Sequence, residues 1–221
     1  MSLYLRMARY KQGDIAIDIP KEGLNAVLFD NKRPLVLGID PGLGGALALF
    51  DPRSRELVKL IPTPLIEGDG SKKELALNEL ALFFDEFADQ ISHCGIEEVH
   101  AMPGQGVVSM FNFGMGYGKL RGLLAANYIP TFRVKPQNWK QVFHLINKRK
   151  EWSLELARDL FPKNKADFER ACDDGKAEAA LIAVYASLYC GHGKTVHEST
   201  YGYNERNTNN PGDRSSTRKN K

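Results

Sequence analysis

The sequence predicts an α/β protein: a mixed five-stranded sheet flanked by helices, with its leading edge antiparallel. Three observations predict it. Residues 35–40, 46–50 and 57–61 are short apolar or alternating runs separated by turns rich in Gly and Pro, which reads as a meander. A helical pattern then precedes a strand-like segment at 95–101, and such a crossover returns the chain parallel to its first strand. A fifth, short strand at 132–134 follows another helix.

Composition sets the outer limits. With 221 residues, 43% hydrophobic and 26% charged, the chain can bury one sizeable core and carry terminal extensions. The net charge of +3 lies wholly in residues 191–221, where six Lys/Arg face three acids. Residues 1–190 therefore sum to zero, which excludes a uniformly basic nucleic-acid binder and leaves only a local patch. Cys94, Cys172 and Cys190 are odd in number and scattered, with no CxxC. They suggest neither a disulfide framework nor a zinc site, and fit a reducing, cytoplasmic compartment. No apolar run approaches the roughly 20 residues that span a bilayer, so no membrane partner is expected.

This divides the chain into an N-terminal extension (1–33), one domain (34–190) and a disordered basic tail (191–221). The opening MSLYLRMARYK has three basic residues and no acid, as in a transit peptide. It is short, however, has a single Ser, and leads into the alternating residues 15–19, which read as a strand or arm.

The first strand carries no charge until its end, Gly38-Ile39-Asp40, and is followed by Pro41-Gly42 and Gly44-Gly45. A carboxylate ending a buried strand beside glycines that admit close backbone approach is an odd place for a charge. Either it starts a hairpin turn, or other carboxylates meet it. Residues 62–70 form a loop. Ser71 with Glu74 has capping-box spacing, so a helix is expected from there to about His93, with Leu75, Leu77, Leu80, Leu82, Phe83, Phe87 and Ile91 on one broad side. The strand that follows holds Glu97 and Glu98, where a buried strand would not want acids.

Residues 103–118 hold five glycines and three aromatics, and no regular element is expected there. Val108, Met110, Phe111, Phe113 and Tyr117 are costly to expose. The segment either packs over the sheet or offers aromatics to a ligand such as unstacked bases. Lys119 and Arg121 open a helix reaching Tyr128, and 136–146 and 150–160 read as helices, the second stopped by Phe161-Pro162. Trp139 with Lys140, and Lys148-Arg149-Lys150, either follow a phosphate backbone or form a solvated helix face.

The last helix begins Asp173-Asp174-Gly175-Lys176-Ala177-Glu178 and is apolar thereafter. Asp174 and Glu178 are four apart, hence on one face, and like charges at that spacing destabilise a helix unless a cation sits between them. The helix dipole accounts for one acid near the N-terminus, but not for Glu178 inside an apolar stripe. Asp40, Glu97, Asp174 and Glu178 can therefore converge. Such hard oxygen ligands suit Mg²⁺ or Mn²⁺, and two ions about 3.5–4 Å apart can clamp an in-line attack at phosphorus.

GIDPG, IEEVHAMPGQGVVSMFNFGMGYGKLRG, VKPQNWK and DDGKAEAALIA, in this order and spacing, resemble the RuvC-type Holliday junction resolvases, especially their phage and phage-like branch. The likeness spans Pro34 to Cys190. It implies a ribonuclease H-like fold, a homodimer, and metal-dependent nicking of a four-way DNA junction at two symmetric phosphodiesters, leaving 5′-phosphate and 3′-hydroxyl ends. It implies catalytic and metal-ligating roles for Asp40, Glu97, Asp174 and Glu178. Bacterial members often space the last pair by three residues, so Asp173 is a rival to Asp174. Glu98 rivals Glu97, although the Ile-Glu-x-Val frame favours Glu97. Bacterial members also carry a junction-opening aromatic three residues after the strand Glu, where this chain has His100. Phe111, Phe113 or Tyr117 would have to open the junction instead. Lys119, Arg121 and Lys140 are the phosphate-contact candidates, and the tail would add non-specific DNA affinity.

Other classes compete. Gly-Ile-Asp-Pro-Gly-x-Gly-Gly also resembles the first phosphate loop of actin-like ATPases and sugar kinases, but that reading needs a second lobe for which too little chain is expected to follow. A non-catalytic junction-binding protein would lack one of the acids. A general branched-DNA or RNA:DNA-hybrid endonuclease of the same fold differs only in substrate.

Overall fold

The computed structural model describes residues 33–68, 73–101 and 104–190. Residues 1–32 and 191–221, where the extension and basic tail are expected, lie outside the described residues, as does Ser71.

Alternation in the first strand decides which way the domain faces. In β1 (Leu35–Asp40), Leu35, Leu37 and Ile39 are buried in one core and Val36 in another, on opposite faces of the sheet. Period two carries Gly38 and then Asp40 to the face of Val36. β2 (Ala46–Asp51) and β3 (Glu56–Pro62) extend the sheet antiparallel on one side of β1. β6 (Ile91–Glu97) and β7 (Thr131–Val134) extend it parallel on the other, giving the order β3-β2-β1-β6-β7. β4 (Leu65–Glu67) and β5 (Lys73–Leu75) form a separate two-stranded ribbon.

α1 (Leu77–Phe87) and α2 (Val107–Ala126) cover the first face through Leu80, Phe83, Phe84, Leu120 and Leu124. α3 (Pro136–Val142), α4 (Glu151–Leu160) and α5 (Asp174–Tyr189) cover the second. The result is the expected α/β architecture: a mixed five-stranded sheet with helices on both faces. Among the described residues no helix is long and apolar enough to cross a membrane.

α5 lies across β1, β2 and β6 as the centre of the second core. Its alanines allow backbone to meet backbone. A Cβ on Gly38 would stand 2.2 Å from the Ala179 carbonyl oxygen and 2.4 Å from the Ala183 nitrogen, so β1 tolerates only glycine there.

Several element boundaries differ from those the sequence predicts. α1 starts at Leu77 rather than at Ser71, because Glu74 pairs across the ribbon with Ile66 and Leu75 is buried. The fourth strand of the main sheet runs from Ile91 to Glu97, earlier than 95–101. A 3-10 turn, Ala88–Gln90, ends the helix, and the His93 imidazole is received in the sheet, its Nε2 3.1 Å from the Ala186 carbonyl. α3 stops at Val142, four residues before the expected end, where His144 and Asn147 take positive φ. The largest departure is residues 107–118, the first part of the 20-residue helix α2 and not an irregular loop. Glycine lowers helix propensity without forbidding the helix. Leu120 and Leu124 anchor the later turns in the core, and the Met110 N–H donates to the Gly106 carbonyl at the start.

Candidate active site

Asp40 ends β1 at a turn closed by backbone. The Gly45 N–H donates to the Gly42 carbonyl at 2.9 Å, and the buried Thr63 hydroxyl donates to the same carbonyl at 3.1 Å. The Asp40 carboxylate accepts a long bond, 3.4 Å, from the Gly42 N–H. This turn rests on the first turn of α5: a Cβ on Gly175 would lie 2.2 Å from the Gly44 carbonyl oxygen. That contact is what brings a strand-end acid to the helix carrying Asp174 and Glu178.

Glu97 arrives by strand parity. Gly95 faces Ala186 and Ile182 of α5, while Cys94 and Ile96 belong to the opposite core. Glu97 is therefore on the face of Asp40, and Glu98 is on the other, where its carboxylate lies 3.5 Å from Arg133. This geometry puts Glu97, and not its rival Glu98, on the face of Asp40.

The four acids reach one another electrostatically. Burial, then the charges of Glu178 and Glu97, and last that of Asp174, push the Asp40 carboxyl up to about 7, against a small opposing effect of the Gly42 bond. Burial also raises Glu178, with Glu97 and Asp174 adding to it, although Lys140 at 3.4 Å acts the other way. Asp174 is paired with Lys150. Glu97 accepts a hydrogen bond of 2.9 Å from the Trp139 indole N–H.

Asp173 does something different. It is buried, lies 2.8 Å from Arg170 and 3.2 Å from Lys176, and is held well below the usual carboxylate range, chiefly by the Arg170 hydrogen bond. It anchors the entry to α5 rather than joining the acids.

Among the described residues, no three His, Cys, Asp or Glu side chains stand as a group that would hold a metal ion where they lie. Glu178 and Asp174 are drawn onto lysines instead, and Glu97 onto the indole. The chemistry of the donor set nevertheless fits a hard divalent cation: four carboxylates, no soft ligand, and burial that works against the charge of Asp40 and Glu178.

The candidates for DNA contact are placed differently from one another. Phe111 is 70% exposed near the start of α2. Phe113 and Lys119 line a cavity of about 530 Å³ with Pro41, Leu43, Leu75 and Met115, next to the turn that follows Asp40. Lys119 also lies 3.5 Å from Glu74. Tyr117 packs against the core with its hydroxyl buried and without a hydrogen-bond partner among the described residues, and the Arg121 guanidinium stands 5.7 Å from its ring. Lys140 belongs to the acidic cluster through Glu178.

Three contributors have roles the sequence does not assign: Trp139, which holds Glu97; Lys150, which meets Asp174; and Gly175, which lets the loop touch α5. The sequence marks Trp139 and Lys150 only as residues that follow a phosphate backbone or form a solvated face, and Gly175 only as a glycine in the first turn of a helix.

No family model and no curated protein matches the chain. Among solved structures it is similar to Thermus thermophilus RuvC in complex with Holliday junction substrate, at 16% identity, with 72% of this chain and 96% of that chain covered and a TM-score of 0.46. It is also similar to a second Thermus thermophilus RuvC structure, at 14% identity, with 69% and 95% covered and a TM-score of 0.44.

Proposed function

We propose that this protein is a metal-dependent, structure-selective endonuclease that resolves four-way DNA junctions by paired symmetric nicks. One observation carries the reading. The Asp40 carboxyl is raised to about 7 by burial and by Glu178, Glu97 and Asp174, which come from other parts of the chain. Acids so arranged oppose one another unless a cation joins them. The ordered motifs of the sequence support the choice of substrate.

In this reading Asp40, Glu97, Asp174 and Glu178 hold two Mg²⁺ or Mn²⁺ ions. Bound there, such ions supply activation of water and stabilisation of the leaving 3′-oxygen in an in-line displacement at phosphorus. The charges of all three other acids act on Asp40, which therefore depends most on added positive charge. Lys140 and Lys150 are paired with Glu178 and Asp174 and offset their charge. Phe111 and Phe113 present ring faces to unstacked bases, Tyr117 supports them from within, and Lys119 and Arg121 meet phosphates. Two symmetric nicks require two such sites, so the working unit is a homodimer.

The test is cleavage of a synthetic mobile four-way junction with mapped nick positions, beside flap, duplex and RNA:DNA-hybrid substrates. Paired nicks on opposed strands of the junction, with the other substrates cut far more slowly, is the expected result. Equal cutting of hybrid or flap would make it a general nuclease of the same chemistry. Binding without cutting in either metal would make it a junction-binding protein.

A further inference from the structure

Trp139 has the largest wholly buried side chain in the domain, at 0% exposure. It sits in the seven-residue helix α3, which Pro136 starts. The Phe143 ring packs against it with centroids 6.5 Å apart, and the Lys140 ammonium lies 4.9 Å from its centroid. An indole offers one N–H and accepts nothing, and burying it calls for one partner. A backbone carbonyl would suffice. Here the N–H reaches across 42 positions of sequence to Glu97 Oε1, at 2.9 Å.

Two of the other three acids are held by cations: Lys140 on Glu178 and Lys150 on Asp174. A divalent ion would have to displace those lysines. Glu97 is held by a neutral donor, so its negative charge is left for an incoming cation. We propose that Trp139 is the positioning residue of Glu97, fixing Oε1 so that Oε2 serves as a single-oxygen ligand for a divalent cation. This rests on reading Asp40, Glu97, Asp174 and Glu178 as a metal site. Groups that orient a ligating carboxylate in this way typically contribute about 10–100-fold in metal affinity.

Trp139→Phe keeps an aromatic ring in the core and removes the N–H. Mn²⁺ titration of the full chain, followed by loss of the free-ion EPR signal, should show binding weakened about tenfold or more. On a four-way junction kcat should fall while KM stays near that of the wild type. The chain has two tryptophans, so its ¹⁵N–¹H spectrum holds two indole resonances. That of Trp139 should move on adding Mg²⁺ and in Glu97→Gln, while that of Trp152 stays.

Wild-type Mn²⁺ affinity in folded Trp139→Phe overturns the proposal. So does an indole resonance that neither Mg²⁺ nor Glu97→Gln moves, a readout that decides the matter even if Trp139→Phe fails to fold. Weakened Mn²⁺ binding in a protein that cuts no branched DNA leaves the role of Trp139 standing and overturns the nuclease reading. A wild type that cuts junctions beside a Trp139→Phe variant unchanged in metal affinity overturns only the positioning role.

Discussion

α5 and α2 are both helices rich in small residues, and neither has one clean apolar stripe, yet they differ in what covers them. α5 is buried on nearly every side from Ala179 to Ser187. α2 exposes Val107 at 84%, Val108 at 63% and Phe111 at 70%, and meets the core through its later turns, with Leu120 and Leu124 buried and Tyr117 and Leu123 packed beside them. In α5 and the strands beneath it, smallness is a steric demand, since Gly38 and Gly175 lie where any Cβ would strike backbone. In α2, Gly114, Gly118 and Gly122 have nothing among the described residues within 4 Å of where a Cβ would be. The acids of α5 are therefore placed by backbone packing, whereas the aromatics of α2 ride on a helix held from one end.

The largest expected effect breaks the site at the α5 end. Asp40→Asn or Glu97→Gln should lower single-turnover nicking by on the order of 10³ or more while junction binding survives. Asp174→Asn should act in the same direction. Asp173→Asn should instead lower the thermal midpoint, because it removes the anchor for Arg170 and Lys176, and should leave nicking per folded molecule close to wild type. The reverse ranking of Asp173 and Asp174 would mean that α5 presents a different face to β1.

The same comparison explains what could be read from the sequence. Asp40 was legible because a charge at the end of an uncharged strand has few bland explanations. Glu178 was legible because it interrupts an apolar helix four residues after Asp174. Glu97 against Glu98 needed strand parity, which in turn needed the strand to begin at Ile91, and the capping-box spacing of Ser71 and Glu74 pointed the helix elsewhere. The first part of α2 reads as a loop by its glycine content, although no proline follows Pro103 until Pro130. The bond from Trp139 to Glu97 left no trace, since a hydrogen bond spanning 42 positions has no local pattern.

Gly38→Ala sharpens the steric half of the comparison. Its new methyl would meet the backbone of Ala179 and Ala183, which cannot swing aside as a side chain can. The cost should be about 1–3 kcal/mol or more, read as a drop of roughly 2–4 °C in thermal midpoint per kcal/mol. Nicking should fall with it, because Asp40 is two residues along the same strand. A Gly38→Ala protein with wild-type stability would contradict the close contact of β1 and α5.

Burial of charge under α5 also sets a pH dependence. The Asp40 carboxyl is raised from its ordinary value near 4 to about 7, so the folded state holds a proton that the unfolded chain has released. The Asp40 contribution to stability in chelator should thus be greatest below about pH 4, fall as pH rises toward 7, and level off above that. Glu178 is shifted in the same direction. Asp173 is shifted the opposite way, and its contribution is lost only in stronger acid, outside this window. Thermal midpoints at pH 5 and pH 8 should differ less in Asp40→Asn than in wild type, and Mg²⁺ at pH 8 should recover much of the difference. A midpoint that rises from pH 5 to pH 8 in chelator would contradict the buried, mutually repelling cluster.

The smallest effect has the opposite sign and comes from α2. Gly118→Ala places a methyl in open space on a helix, where alanine is favoured over glycine by roughly 0.5–1 kcal/mol because the unfolded chain loses freedom. The thermal midpoint should rise slightly. The substitution made at Gly38 is thus repeated on a second small-residue helix layer with its sign reversed, and the reversal follows only if steric demand is confined to the α5 side. A Gly118→Ala protein that loses stability would show that the exposed face of α2 packs tightly against something in solution, and its aromatics would then be part of a contact rather than a free surface.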